Sequence, residues 1–251
     1  MKLSNIIWNL SNVFGYIFGW SFLAPIHTLI AHFAVHALGY DNMLRESWTG
    51  EEWFVQKKLS PTKPTVCIDV GANIGNYTKM LLQHTNAHVF AIDPLEGSHE
   101  SLKMLGPRVT QIKGAISNFN GEAPFYHQST TDGMGSLDCT VRTGTATTVP
   151  VMTLSSLCKD HAIVAVDFLK IDTEGYEREV LAGLGGIRPS FIQFEFNIHH
   201  LLRKCSVYEL SQLLPEYELY RLLPHGWLKI NPAKYINNIY MFCNIVAVRR
   251  A

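Results

Sequence analysis

The segment Cys67-Ile-Asp69-Val-Gly71-Ala-Asn73-Ile-Gly75-Asn-Tyr-Thr78 constrains the fold of this chain more than any other. Residues 66–70 are a short β-rich apolar run. They end in a glycine-containing turn that passes directly into residues 77–84, which read as a helix. Gly71 permits a turn conformation closed to residues with a Cβ, and it lets a ligand approach the backbone. The helix start offers free N–H groups to a polar ligand. The pattern is neither G-x-G-x-x-G nor a phosphate loop, since no Gly-Lys-Ser/Thr follows. A carboxylate at Asp69, inside the strand end, would repel a pyrophosphate. It suits a ligand that brings an amino group there and no phosphate.

The alternation continues along the chain. Residues 88–92 and 109–116 read as strands, with a helix near 98–105 between them. Residues 167–171, 191–196, 218–223 and 240–248 read as further strands, with helices near 176–184 and 207–214. Strands alternating with helices predict a parallel α/β sheet with helices on both faces. No helix separates the last two strands, so they are expected to pair antiparallel. The Gly-, Ser- and Thr-rich residues 120–151 read as an insertion of loops and small strands near the C-terminal edge of the sheet. Within it, Thr131-Asp-Gly-Met-Gly-Ser136 reads as a mobile lid.

Acids recur at the carboxyl ends of the expected strands, where open α/β sheets bind ligands. Asp93 lies about 20 residues beyond the glycine turn, where a carboxylate can accept both ribose hydroxyls. Leu169-Lys-Ile-Asp172-Thr-Glu174-Gly175-Tyr-Glu177 and Phe191-Ile-Gln-Phe-Glu195-Phe-Asn197 end the same way. An amino group, a ribose and no phosphate together describe S-adenosylmethionine. An alcohol acceptor needs a base or a metal, and Glu174, Glu195, Asp172, His199, His200 and His225 are the candidate bases. Glu174 or Glu195 leads, with a histidine from 199–200 nearby. A divalent ion held by Asp172 and Glu195 is the metal-assisted alternative.

These residues resemble the FkbM family of S-adenosylmethionine-dependent methyltransferases. Asp69-Val-Gly-Ala-Asn-Ile-Gly75 is similar to its first motif, and Ala115-Ile-Ser117 with Asn120-Gly121 to its segment after the third strand. Lys170-Ile-Asp172-Thr-Glu-Gly-Tyr-Glu177 with Val180-Leu181 is similar to its most recognisable signature. Ser155 stands where members often carry Asp, and Gly50-Glu-Glu-Trp-Phe54 resembles an entry segment of some bacterial members. The resemblance covers about residues 67–196. It implies a class I, Rossmann-like methyltransferase fold, with a seven-stranded, mostly parallel sheet whose last strand is antiparallel. It also implies methyl transfer to an oxygen, often a hydroxyl of a carbohydrate, glycolipid or secondary metabolite. Asp69, Gly71, Ala72, Asn73 and Gly75 would then surround the methionine part, Asp93 would hold the ribose, and Ala115 and Ile116 would line the adenine slot. Asp172 and Glu174 would face the acceptor.

Residues 61–251 form the expected methyltransferase domain, behind an apolar helical segment and entry region, residues 1–60. Between Lys2 and Asp41 there is no Asp, Glu, Lys or Arg. Apolar positions recur at helical spacing within residues 6–18. This stretch is expected to pack on the domain, on a second copy or at a membrane surface. The chain carries 21 basic and 21 acidic residues with no basic run, which argues against nucleic acid as partner. No Tyr-x-x-x-Lys pair occurs, which disfavours a nicotinamide-dependent reductase. A non-catalytic membrane-associated module is the other alternative. The five cysteines form no C-x-x-C pair, so a reducing, cytoplasmic setting is expected, with Cys67 and Cys243 as buried apolar residues.

Overall fold

The computed structural model describes residues 3–43, 46–129 and 133–250. The chain opens with α1 (Leu3–Phe18) and α2 (Ala24–Ala37), then α3 (Glu51–Phe54), which continues as a π-helical turn, Val55–Leu59. β1 (Val66–Val70), α4 (Asn76–His84), β2 (His88–Asp93), α5 (Glu96–Lys103) and β3 (Val109–Lys113) follow. Next come β4 (Ala115–Ser117), β5 (Gly121–His127), β6 (Thr145–Thr153) and α6 (Leu154–Asp160). The remainder is β7 (Phe168–Ile171), α7 (Glu177–Ala182), β8 (Phe191–Phe196), α8 (Ile198–Leu202), α9 (Val207–Gln212), β9 (Tyr217–Leu223), β10 (Gly226–Lys229) and β11 (Cys243–Arg249).

The main sheet has the order β3-β2-β1-β7-β8-β11-β9-β10. β3, β2, β1, β7 and β8 run parallel, while β11 is antiparallel to both β8 and β9. This is the expected α/β architecture, with the expected antiparallel pairing of the last long strands. It has eight strands rather than seven, because a turn at Pro224-His225 folds β10 back on β9. The chain winds outward from β1 through β2 to β3, then returns to start β7 on β1's other side. The strand order therefore switches between β1 and β7, where such sheets open a ligand crevice.

Both faces of the central strands are buried, as their near-continuous apolar runs require. Side chains alternate across the sheet. Ile68, Val70, Leu169, Ile171 and Phe194 build the core on one face. Cys67, Val89, Phe168 and Val246 face the other way, against Phe54, Val55, Leu59 and Leu81. All five cysteines are free, and Cys67 and Cys243 are buried as expected.

The strand expected over residues 109–116 is two strands. Gly114, at φ +155, breaks it where a side chain would crowd the Pro150 carbonyl and Met152. β4 then leaves the main sheet and pairs in parallel with β6, which pairs antiparallel with β5. β5 and β6 of this small sheet fall almost wholly in the expected insertion, and β4, with Ala115 and Ile116, joins them from the chain before it.

Candidate active site

The turn after β1 is held by its neighbours on both sides. Gly71 and Ala72 donate their N–H groups to the Ile92 carbonyl, each at 3.0 Å, and Asp172 donates its N–H to Val70 at 2.9 Å. The Asn73 N–H donates to Asp93 Oδ2 at 3.0 Å, and Leu95 N–H to Asp93 Oδ1 at 3.0 Å. Gly71 adopts φ +81, and a Cβ there would overlap the Asp172 carbonyl oxygen. The close approach that requires glycine is therefore made by the protein's own backbone.

Two adjoining cavities open at this strand switch. The first, about 500 Å³, is walled by the β1 turn, by Asp93, by Ala115 and Ile116, and by Asp172 and Glu174. Phe125 and Leu137 add apolar surface, and Gly133 and Gly135 cover it. The second, about 760 Å³, is lined by Glu51, Ala72, Asn76, Tyr77 and Met80, and it shares Gly71, Asn73, Gly133 and Asp172 with the first. Of the expected lid, Thr131 and Asp132 lie outside the described residues. Its far end is anchored: Ser136 is buried, exchanges backbone hydrogen bonds with Tyr126, and donates its hydroxyl to the Glu174 carbonyl at 3.2 Å.

Gly71, Ala72, Asn73, Asp93, Ala115, Ile116, Asp172 and Glu174 thus meet around one continuous space. Asp69, Gly75, Glu195 and His199 do not line it. Asp69 lies fully buried beneath the turn and accepts a 2.6 Å hydrogen bond from the Thr78 hydroxyl. Burial pushes its carboxyl up to about 6, against the opposing pull of Thr78 and Lys170. Gly75 starts α4 at φ +88, where a side chain would strike Leu102 and Leu105, so it serves helix packing.

Asn73 and Glu174 both hold left-handed backbone conformations, at φ 47 and 52. Asn tolerates this region, whereas for Glu it stores strain of the kind that clusters at functional sites. Glu174 Oε2 lies 3.0 Å from His199 Nδ1, and each side chain is 14% exposed. Burial raises the Glu174 carboxyl, although His199 pulls it down, and the Glu174 bond raises the imidazole in turn. Glu195 stands behind the pair and accepts from the Asn197 amide. Burial, then the neighbouring Asp172 and Glu174, hold its carboxyl well above the usual range.

The other two histidines do different work. His200 is buried and accepts from the Asn197 N–H as part of the cap of α8, with its other ring nitrogen 3.1 Å from Glu177. His225 is exposed in the β9–β10 turn and lines neither cavity.

Lys170 and Glu51 were given no role by sequence reasoning. The Lys170 ammonium is buried, 3.2 Å from Asp172 Oδ2 and 3.6 Å from Glu51 Oε1, over the ring of Tyr77. Gln193 joins them, donating to Glu51 at 2.7 Å and accepting from the Tyr77 hydroxyl at 2.7 Å. A lysine inside an otherwise apolar, fully buried strand was the available signal. These contacts do not fit a divalent ion held by Asp172 and Glu195. An ammonium sits against Asp172, Glu195 turns to Asn197, and no group of three His, Cys, Asp or Glu side chains is placed to hold a metal ion among the described residues.

S-adenosylmethionine fits what is there. Ala115, Ile116, Phe125 and Leu137 offer an apolar slot for a base, and Asp93 an acceptor beside it. The buried Asn73 Oδ1 has no hydrogen-bond partner among the described residues, an acceptor waiting for a donor. A phosphate would meet Asp172, Glu174 and Glu51 instead.

The model of the methyltransferase FkbM domain matches residues 69–222, more than half of the chain. No curated protein matches the sequence. Among solved structures, an O-methyltransferase from Bacillus cereus in complex with SAH is similar at 13% identity and TM-score 0.46, over 96% of this chain and 97% of that one. A precorrin-6y C5,15-methyltransferase from Geobacter metallireducens is similar at 12% identity and TM-score 0.41, over 76% and 86%. The assignment rests on the family match and not on these distant likenesses. With the motif residues of that family gathered at the strand switch, this chain belongs to the FkbM family of S-adenosylmethionine-dependent methyltransferases.

Proposed function

We propose that the protein transfers a methyl group to a hydroxyl oxygen of a carbohydrate, glycolipid or secondary-metabolite acceptor, with Glu174 as the base. The pairing of Glu174 with His199, at the wall of the cavity that fits the cofactor, carries this reading.

S-adenosylmethionine, when bound, supplies the methyl on a sulfonium centre that is already a good leaving group. The protein's task is to align the acceptor oxygen and take its proton. Asp93 would accept the ribose hydroxyls, Ala115 and Ile116 would pack on the base, and Asn73 Oδ1 would accept from the amino group. Glu174 would take the acceptor's proton. Its burial lifts the carboxyl toward neutrality, where a base works best, and His199 steadies the charge that remains. Asp172 would hold a second hydroxyl, with its own charge balanced by Lys170. A rim of Glu51, Asp172 and Glu174 favours neutral, hydroxyl-rich acceptors over phosphorylated ones.

The test is transfer of labelled methyl from S-adenosylmethionine to cell glycans and lipids, by wild type and Glu174→Gln. Label in a base-stable ether product, lost in the variant, is expected. Label on nitrogen or carbon only would overturn the reading.

A further inference from the structure

The apolar N-terminal helices are the largest feature that the methyltransferase site leaves unexplained. Residues 5–18 are all exposed, and α2 buries no residue. Trp8, Leu10 and Phe14 on α1, and Ile26, Leu29 and Phe33 on α2, are each more than half exposed. Successive helical residues point about 100° apart, so Ile6, Leu10, Val13, Phe14 and Ile17 line one side of α1, and Asn5, Asn9, Asn12 and Tyr16 line the other. An exposed apolar face of this size, with an opposite face that is polar but uncharged, needs an apolar cover.

We infer that α1 and α2 insert into a lipid bilayer as a bent wedge. Two observations select this occupant over a second copy of the chain. No Asp, Glu, Lys or Arg lies between residues 3 and 40, so a partner surface has nothing to pair with. Several of the polar side chains also turn back on the helices' own carbonyls. Ser11 donates to Ile7, Asn12 to Trp8 and Thr28 to Ala24, each at 2.9 Å, and Trp20 donates to Ile17 at 3.0 Å. His27 donates to Phe18 across the bend at 3.0 Å. Internal satisfaction of this kind is what a solvent without hydrogen bonds demands.

The wedge does not cross as a straight span. At ~1.5 Å per residue the helices reach ~24 and ~21 Å, against a hydrocarbon core of ~30 Å. No single helix among the described residues is long and apolar enough to cross, and the pair is bent by 105°. Without basic residues the binding is apolar rather than electrostatic.

The wedge is fastened to the catalytic domain at one strand end. Arg221, fully buried, donates from Nε to the Leu38 carbonyl at 2.6 Å and stacks on Tyr40 at 3.9 Å. Gly39 packs on Leu222 and Gly50 on Leu223, and the next residue, Glu51, lines the second cavity. The membrane element and the acceptor side of the site thus leave from the same end of β9, an arrangement suited to a lipid-borne hydroxyl.

The experiment is flotation of the full chain with phosphatidylcholine vesicles at low and high salt, beside the double variant Leu10→Asp, Phe33→Asp. Brominated acyl chains report whether tryptophans enter the hydrocarbon. Expected are flotation unaffected by salt, quenching of part of the tryptophan emission, and at least tenfold less bound variant at an unchanged melting midpoint. Three outcomes would each overturn the inference: no flotation, flotation abolished by salt, or a double variant that floats as well as its parent. A stable vesicle-free dimer whose tryptophans bromolipid never quenches would assign the helices to a second copy instead.

Discussion

Nδ1 of His199 lies 3.0 Å from Oε2 of Glu174, joining the first turn of α8 to the loop after β7. Each group shifts the other. Burial raises the Glu174 carboxyl and His199 opposes it, while Glu174 raises the imidazole. A base must be ionised, so the rate should climb as pH rises through the Glu174 value. Removing the imidazole in His199→Ala removes the group that pulls that value down. The acid limb of the kcat profile should then move to higher pH, with the alkaline plateau largely kept. Glu174→Gln should instead lose roughly 10²–10⁴-fold in kcat at every pH, with cofactor binding retained.

Asp93 has two loads to carry. Its oxygens accept from Asn73 and Leu95 within the fold, and the same carboxylate lines the first cavity. Asp93→Ala should abolish calorimetric binding of S-adenosylmethionine and also lower stability by about 1–3 kcal/mol, from two backbone donors left unpaired. Asp93→Asn keeps one carbonyl acceptor. It should recover much of the stability while binding the cofactor more weakly than wild type.

Gly71 and Gly186 make a matched pair. A Cβ on Gly71 would overlap the Asp172 carbonyl at a left-handed φ, whereas one on Gly186 meets nothing within 4 Å. In urea unfolding, Gly71→Ala should cost at least about 3 kcal/mol, and Gly186→Ala should stay within about 0.5 kcal/mol of wild type.

Asp69 should make the protein less stable as pH rises. Its folded value is raised to about 6 from 3.8. Its favourable contribution is therefore complete below the unfolded value and lost as pH passes through the folded one. Across that window it should account for roughly 3 kcal/mol. In Asp69→Asn, whose amide oxygen can still accept from Thr78, that part of the slope should vanish. Urea unfolding between pH 4 and 8, taken as the difference between the two proteins, measures it.

Local sequence was sufficient where the physics is local. The strand–glycine–helix unit at residues 66–84, the acids at strand ends and the antiparallel closure by β9 and β11 follow from periodicity, turn chemistry and chain direction. Residues near one another in the chain, such as Asp172 and Glu174, had to emerge at the same sheet edge. The opening stretch free of charge likewise read as an apolar helical segment, while its exposure, with no residue of α2 buried, came only from the tertiary structure.

Contacts across long sequence separations were decided only by the tertiary structure. Lys170 meets Glu51 because the entry segment crosses to β7, and nothing within either segment encodes that meeting. His200 read like His199, yet helical geometry turns one ring to Glu177 and the other to Glu174. Asp69 read as a ligand-facing acid. The alternation of side chains across β1 sends it under the turn instead, where Thr78 takes it up. Sequence set which chemical groups each strand end would carry. Packing between distant segments set which of them face the cavity, because burial and charge pairing depend on neighbours that chain order does not specify.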